Sequence, residues 1–293
     1  MPQTSLVYGL SELAPRYDAL VSDVWGVIHN GVQAYPGASD ALRQFRNMGK
    51  PVVLLTNAPR PQSVVAKQLH HFGIADDAYD AIVTSGDLTR AEIARRAAEN
   101  GGPLPSLYIG PDRDLGIFDE EMVVRTDLDA AQVIICTGPY KDDEETPDDY
   151  RDMLERAAAR GLAMICANPD LVVQRGERII YCAGSLAALY EQLGGMVWYA
   201  GKPHLPVYGR VDEELARAAG RAIPRMRVLM AGDGLKTDVL GANRAGLPVL
   251  LITGGIHTAD FGHSVEEPDP DRIRAQLARA GLNAVAACPR LRW

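Results

Sequence analysis

Several side chains that could carry chemistry share one kind of position: each stands at the end of a short apolar run or in the loop that follows it. They are Asp23, Thr56, Asn57, Lys202, Asp233 and Asp238. A carboxylate can act as a nucleophile or bind a metal ion, a hydroxyl or an amide can bind phosphoryl oxygens, and an ammonium group supplies positive charge. Taken singly, each residue also has a commonplace interpretation as a helix cap, a turn residue or a surface side chain.

The strongest of these signals is the segment GDGLKTDVLGANRAG, residues 232–246. Asp233 and Asp238 flank a glycine-rich turn between an apolar run and the start of a helix rich in small residues. Paired carboxylates in such a loop suit Mg²⁺, which takes few protein oxygens and keeps water molecules for its substrate. The segment therefore predicts a magnesium site.

Short apolar runs that alternate with helical patterns must position these side chains. The runs span residues 51–57, 81–86, 106–110, 131–138, 163–170, 227–234 and 248–255. One intervening helix has Thr146 as its predicted N-cap, Pro147 at its first position and Gly161 as its stop. Strands that alternate with helices indicate an α/β fold with a doubly wound parallel sheet. In such a sheet the ligand site gathers at the carboxyl ends of the strands.

The composition narrows the class of protein. The chain has 293 residues, a formal net charge of −8 and 47% hydrophobic residues, which is typical of a globular protein with a substantial core. Its negative charge argues against a nucleic-acid-binding surface, because such surfaces need clustered lysine and arginine. We find no secretory signal, no apolar stretch near the roughly 20 residues of a membrane span and no metal-binding cysteine spacing. We therefore expect a cytoplasmic protein with neither a nucleic acid nor a membrane as partner.

In their order along the chain, four segments resemble the motif set of the haloacid dehalogenase-like superfamily. These segments are DVWGV (23–27), LLTN (54–57), GKP (201–203) and GDGLKTD (232–238). Other segments are similar to its class IIA branch, which includes nitrophenyl-phosphatase-like and phosphoglycolate-phosphatase-like enzymes. They are YPGA (35–38), VTSGDLT (83–89), ANPD (167–170), CAGSLAALYEQLGG (182–195) and GKPHLPVYG (201–209). The ordered set covers nearly the whole chain.

This resemblance implies a Rossmann-like core with an α/β cap domain inserted between the second and third motifs. We expect the core to comprise residues 1–85 and 196–293, and the cap to comprise residues 86–195. The resemblance also leaves a homo-oligomer open, because exposed cap surfaces often pair in this branch.

The resemblance further implies a reaction at phosphorus. Asp23 would attack the phosphoryl group to give an aspartyl-phosphate, which water then cleaves. Mg²⁺ would lie between Asp23, Asp233 and the main-chain carbonyl of Trp25. Asp238 would support this metal site without being its main ligand.

Three further residues would hold the transferring phosphoryl group. Thr56, the backbone around Asn57 and Lys202 would bind its oxygens. Lys202 would also offset the repulsion between Asp23 and a phosphate dianion. The predicted function is therefore a Mg²⁺-dependent hydrolase, a phosphatase that acts on a small phosphorylated metabolite.

Trp25 departs from the motif, because phosphatases of this family have a second aspartate there as general acid and base. An indole N–H is not a usable acid or base near pH 7, and general acid–base catalysis is worth about 10²–10⁴-fold. Three accounts remain open. The substrate has a good leaving group, such as an aryl phosphate or an anhydride. His29, six residues after Asp23, supplies the proton. Or the indole stacks on a planar ligand that is bound with little catalysis.

Two functions therefore stay in view. The phosphatase leads, since a pair of metal-binding carboxylates has little use without phosphoryl chemistry. The alternative is a weakly catalytic or non-catalytic regulatory protein that binds a phosphorylated ligand. Thermal stabilisation by such a ligand without turnover would distinguish it.

Overall fold

A computed structural model of the protein describes residues 4–119, 121–175 and 178–293. Its strands, in chain order, are β1 (Ser5–Leu6), β2 (Ala19–Asp23), β3 (Val52–Thr56), β4 (Ala81–Thr84), β5 (Leu104–Ile109), β6 (Val123–Arg125), β7 (Val133–Cys136), β8 (Ala163–Cys166), β9 (Val172–Arg175), β10 (Arg178–Tyr181), β11 (Met196–Tyr199), β12 (Val228–Gly232), β13 (Val249–Ile252) and β14 (Ala286–Cys288). Its α-helices are α1 (Ala38–Asn47), α2 (Gln62–His71), α3 (Ser85–Asn100), α4 (Arg151–Ala159), α5 (Ala183–Gln192), α6 (Pro206–Ala219), α7 (Leu240–Ala245), α8 (Thr258–Phe261) and α9 (Pro270–Ala280). None of the described helices combines the length and the apolar character that a membrane-spanning segment needs.

The described chain divides into two compact units. The first comprises the described residues up to Thr56, together with Ala66–Val83 and Lys202–Trp293. The second comprises Asn57–Val65 and Thr84–Gly201. Six residues of the predicted domains lie outside the described part of the chain, namely 1–3, 120, 176 and 177.

The first unit is built on a sheet whose described strands have the order β1-β14-β13-β12-β2-β3-β4. The pairs from β1 to β3 along this order are parallel. Every residue of β2, β3, β12 and β13 is buried. A strand that is covered on both faces needs apolar side chains at successive positions, and β3, β12 and β13 therefore appear in the sequence as apolar runs. The prediction of a Rossmann-like parallel sheet is confirmed.

The second unit is built on a five-stranded parallel sheet with the order β11-β8-β7-β5-β6, and a separate antiparallel pair is formed by β9 and β10. Successive side chains of β7 point to opposite faces of the sheet. Ile134 and Cys136 pack in a cluster with residues of α4 and α5, whereas Ile135 packs in a cluster with residues of α3. Helices thus cover both faces, and the predicted α/β character of the inserted region is confirmed.

The predicted strands all appear. The predicted boundary at residues 195 and 196, however, does not agree with the sheet in which β11 pairs. Each of the seven apolar runs overlaps a strand, and the helix expected after Thr146 begins as a 3₁₀ turn that continues into α4. Residues 196–199, which were expected in the core, form β11 and pair with β8 in the second unit. β11 is the edge strand of the second sheet and Met196 is exposed, so the apolar letters MVWYA (196–200) do not show which of the two sheets this segment joins. The boundary that we propose there is Gly201.

Candidate active site

Three neighbouring strands end at one edge of the first unit's sheet. β2 ends at Asp23, β3 ends at Thr56, and Asp233 directly follows the last residue of β12. The register of the sheet pairs Asp23 with Leu55, the residue before Thr56. Because the carboxyl ends of parallel strands meet at the same edge, the fold itself gathers these side chains.

Three carboxylates and one ammonium group form a buried cluster at this edge. One oxygen atom each from Asp23, Asp233 and Asp238 lies within 4.8 Å of the other two. The Nζ atom of Lys202 lies 2.5 Å from Asp23 Oδ1 and 2.7 Å from Asp238 Oδ1. It also donates to the carbonyl oxygen of Leu55 at 3.3 Å. The structure therefore brings together four of the residues predicted for the site.

The formal charges of this cluster do not cancel. Three carboxylates face one ammonium group, so two negative charges are uncompensated among these four buried side chains. Burial raises the pKa of Asp23 well above its ordinary value; the charges of Asp238 and Asp233 act in the same direction and Lys202 opposes them. A divalent cation held by carboxylate oxygens would restore neutrality. The donor set of the cluster therefore fits the predicted metal site.

Backbone groups hold two of the carboxylates in place. Asp233 Oδ2 accepts a hydrogen bond from the N–H of Ile256 at 2.7 Å, and Asp238 Oδ2 accepts one from the N–H of Gly234 at 2.9 Å. A Cβ atom on Gly26 would lie 2.1 Å from Asp233 Oδ2, and Gly26 has a φ of +85°. The loop after β2 can therefore approach this carboxylate only with glycine at that position.

Thr56 and Asn57, which were predicted to bind phosphoryl oxygens, belong to different units. Thr56 is the last residue of β3 and is buried in the first unit. Asn57 is grouped with the second unit, where its Oδ1 accepts from Ser85 Oγ at 3.3 Å and its Nδ2 donates to Asp170 Oδ1 at 3.0 Å. These contacts concern the amide side chain of Asn57, so the role of its backbone stays a prediction.

The indole of Trp25 packs on its own loop. Its ring meets the ring of His29 edge to face, with 5.2 Å between the ring centroids. A Cβ atom on Gly31 would lie 2.4 Å from Trp25 Cζ2. The N–H of Gly26 donates to the carbonyl oxygen of His29 at 2.8 Å and closes the loop. Trp25 thus stabilises a tight turn directly after the predicted nucleophile.

His29 is buried in the same loop, where its imidazole ring makes the contacts that fix its position. Its Nδ1 accepts a hydrogen bond from the N–H of Gly31 at 2.9 Å, and its ring packs against those of Trp25 and Phe72. Burial lowers the pKa of His29 to about 4. These contacts argue against the proton-donor role that the sequence suggested for His29.

The burial of His29 predicts a dependence of stability on pH. The unfolded chain binds a proton on this ring below about pH 6.5, whereas the folded chain does so only near pH 4. The free energy of unfolding should therefore fall by up to about 3 kcal/mol as pH drops through this window. Urea unfolding between pH 7 and 4.5 measures the change.

Two variants identify the source of this pH dependence. His29→Asn keeps an oxygen that can accept from Gly31 but does not titrate, so it should show a smaller fall in stability. His263→Asn, which changes an exposed histidine, should show the fall of the wild type. An equal fall in His29→Asn and the wild type would mean that another group is responsible.

One residue beside the cluster was missed at the sequence level. Tyr208 on α6 is fully buried, and its hydroxyl has no hydrogen-bond partner among the described residues. Burial and the charge of Asp238 raise the pKa of this hydroxyl. The charge of Lys202 lowers it, and the charge of Asp23 raises it. Tyr208 lies within the segment GKPHLPVYG, but the sequence pattern does not predict that its hydroxyl is buried. A buried orphan hydroxyl is a group that a bound water or ligand would satisfy.

Comparison with known protein families gives two matches, one in the N-terminal half of the chain and one in the C-terminal half. Residues 20–116 match a family described as haloacid dehalogenase-like hydrolases. Residues 199–280 match a family described as HAD-hydrolase-like. The matched ranges include Asp23, Lys202, Asp233 and Asp238.

Individual relatives extend the likeness over almost the whole chain. A crystal structure of a haloacid dehalogenase-like hydrolase from Brucella suis has a TM-score of 0.85 and 42% sequence identity, and the match covers 98% of this chain and 100% of that one. The ribonucleotide monophosphatase NagD of Escherichia coli is 25% identical over 246 residues, which cover 82% of this chain and 89% of NagD. A glycerol phosphate phosphatase of Mycobacterium tuberculosis, crystallised in complex with calcium, has a TM-score of 0.58 and 26% identity over 83% of this chain and 68% of that chain.

Proposed function

This chain belongs to the haloacid dehalogenase-like family of hydrolases, in its class IIA branch, and we propose that it is a Mg²⁺-dependent phosphatase that works through an aspartyl-phosphate on Asp23. One observation carries the proposal: Lys202 joins Asp23 to Asp238 in a buried cluster that also holds the carboxylate of Asp233. A nucleophile, a fixed positive charge and oxygen donors for a metal ion are the parts that phosphoryl transfer uses.

The three carboxylates of the cluster would have two roles. Two would bind the metal ion, and the third would hold Lys202. Asp23 and Asp233 would supply carboxylate oxygens to the metal, and the main-chain carbonyl of Trp25 would supply a third donor. These are the hard oxygen donors that Mg²⁺ takes. When bound, the cation offsets negative charge on the transferring phosphoryl group. Asp238, which contacts Lys202 and a backbone N–H, holds the lysine in position.

The side chains of this unit would carry out two displacements at phosphorus. An oxygen of Asp23 attacks phosphorus, the bond to the leaving oxygen breaks, and the electron pair departs on that oxygen. Lys202 reduces the repulsion between the carboxylate and the phosphate dianion, and the hydroxyl of Thr56 donates to a phosphoryl oxygen. Water then attacks phosphorus and loses a proton to solvent, the bond from phosphorus to the Asp23 oxygen breaks, and its electron pair returns to the Asp23 carboxylate.

The names of the relatives support a small phosphorylated substrate. NagD is named for ribonucleotide monophosphates, and the Mycobacterium tuberculosis enzyme is named for glycerol phosphate. A second candidate function is the binding of a phosphorylated ligand with little turnover. Trp25 favours this candidate, because it stands where a titratable side chain would assist both displacements.

A panel of phosphorylated compounds tests the proposed function. Purified protein is assayed with Mg²⁺ on p-nitrophenyl phosphate, acetyl phosphate, and sugar, nucleotide and glycerol phosphates. The proposal predicts phosphate release from at least one compound that ceases with EDTA and returns with Mg²⁺. Stabilisation by a compound that is never cleaved would support the binding protein instead.

The metal site predicts a stabilisation that does not depend on turnover. Mg²⁺ at about 100 times its dissociation constant should stabilise the folded chain by about 2.7 kcal/mol. Asp233→Asn keeps the size of the side chain but removes a metal-binding charge, so it should lose most of this effect. Asp152→Asn, at an exposed position on α4, is the matched control and should keep it. Thermal unfolding with EDTA or Mg²⁺ measures the shift, and an equal shift in Asp233→Asn would contradict this metal site.

A further inference from the structure

The loop that follows Asp23 offers one titratable side chain to a leaving group. Residues 24–31 read VWGVIHNG, in which His29 is that side chain. Its Nδ1 is occupied by the N–H of Gly31, and its ring is enclosed by two aromatic rings. The indole N–H of Trp25 does not act as an acid near neutral pH. The loop therefore brings no proton donor of suitable acidity to the nucleophile.

The other groups of the cluster are committed to one another. Lys202 donates to two carboxylates and to a main-chain carbonyl. Both oxygens of Asp238 accept hydrogen bonds, one from Lys202 and one from the N–H of Gly234. Asp233 accepts from the N–H of Ile256. No side chain of the loop or of the charged cluster therefore remains as a general acid for a departing oxygen, and the nearby Tyr208 hydroxyl is a weak acid whose pKa burial raises further.

We propose, on the basis of the phosphatase function above, that this chain acts on substrates whose phosphoryl group sits on an oxygen that leaves as a stable anion. Acyl phosphates, phenolic phosphate esters and phosphoanhydrides share this chemistry. Alkyl phosphates such as sugar or glycerol phosphates do not share it, because their oxygen leaves as a strongly basic alkoxide.

The first displacement balances for such a substrate without a donor. An oxygen of Asp23 forms a bond to phosphorus, and the bond from phosphorus to the leaving oxygen breaks. A carboxylate, phenolate or phosphate departs with the electron pair and takes any proton from solvent afterwards. An alkyl ester would forgo the help of a general acid, which is worth about 10²–10⁴-fold.

The dependence of rate on the leaving group tests the proposal. Values of kcat/KM are measured with Mg²⁺ for a series of substituted phenyl phosphates, for acetyl phosphate and for glycerol phosphate. In the wild type kcat/KM should fall steeply as the leaving oxygen becomes more basic, and glycerol phosphate should be cleaved at least about 10²-fold more slowly than acetyl phosphate.

Two variants of Trp25 complete the test. Trp25→Asp places a carboxyl group in the loop. It should make kcat/KM less dependent on the basicity of the leaving oxygen and accelerate glycerol phosphate cleavage by about 10-fold or more. Trp25→Phe keeps an aromatic ring without an acid, so it should keep the steep dependence whatever its overall rate. If Trp25→Asp does not fold, the wild type and Trp25→Phe still decide the question.

The outcomes separate this inference from the proposed function. A shallow dependence in the wild type, with glycerol phosphate cleaved as readily as acetyl phosphate, would show that a proton donor reaches the leaving oxygen and would overturn the inference alone. No turnover of any compound, acetyl phosphate included, would overturn the phosphatase function and the inference with it.

Discussion

Changing Asp23 to Asn should lower Mg²⁺-dependent turnover by at least about 10³-fold, because an amide cannot form the aspartyl-phosphate. The fold should persist, since Asn has the shape of a protonated aspartate. Burial and the neighbouring carboxylates already raise the pKa of Asp23, so loss of its charge relieves repulsion. We therefore expect a thermal midpoint equal to or above that of the wild type. Steady-state kinetics and thermal unfolding measure the two quantities.

A matched control separates this effect from a general response to losing an acid. Asp40→Asn changes an exposed residue on α1 and should leave both turnover and thermal midpoint unchanged. Wild-type turnover in Asp23→Asn would rule out Asp23 as the nucleophile. Lost turnover with a much lower thermal midpoint would instead indicate a damaged fold.

Changing Lys202 to Met should impair both catalysis and stability. The side chain keeps its length but loses the charge that lies between Asp23 and Asp238. Loss of a preorganised charge that faces the phosphoryl group should lower kcat by about 10²–10³-fold. Removing one partner from a buried ion pair costs about 3–5 kcal/mol, because the remaining charges are left uncompensated. Kinetics and urea unfolding in EDTA measure these effects.

Mg²⁺ distinguishes the two roles of Lys202. The cation compensates the carboxylates, so it should recover part of the lost stability of Lys202→Met without restoring turnover. Lys67→Met, at an exposed position on α2, should behave like the wild type in both assays. Full activity in Lys202→Met would show that the lysine does not act on the phosphoryl group.

Much of the fold was predictable because its strands are covered on both faces. Apolar runs mark β3, β12 and β13, and their alternation with helical patterns indicates a parallel sheet. The parallel sheet also predicts the position of the site. β2 ends at Asp23 and Asp233 follows β12, and these two strands are parallel neighbours. The order of the motifs added Lys202, which no strand end would have suggested.

The remaining features depend on contacts between residues that are distant in sequence or on the exact path of a loop. β11 is a short edge strand whose membership in the second sheet follows from its pairing with β8. His29 looked available because it lies in a polar turn, but its ring is drawn into the core by aromatic neighbours. The hydroxyl of Tyr208 has no hydrogen-bond partner among the described residues, and the charges of Asp238, Lys202 and Asp23 act on it. Helical periodicity predicts burial of such a residue, but not what lies opposite its polar atom.

The most direct test of the proposed function is to trap the phosphorylated protein. Protein and Mg²⁺ are mixed with acetyl phosphate, quenched with acid within one turnover, digested and examined by mass spectrometry. We expect an acid-stable, base-labile phosphoryl group on the peptide that contains Asp23, and none on that peptide in Asp23→Asn. A phosphoryl group on another residue, or release of phosphate with no phosphorylated protein at any time, would contradict the proposed function.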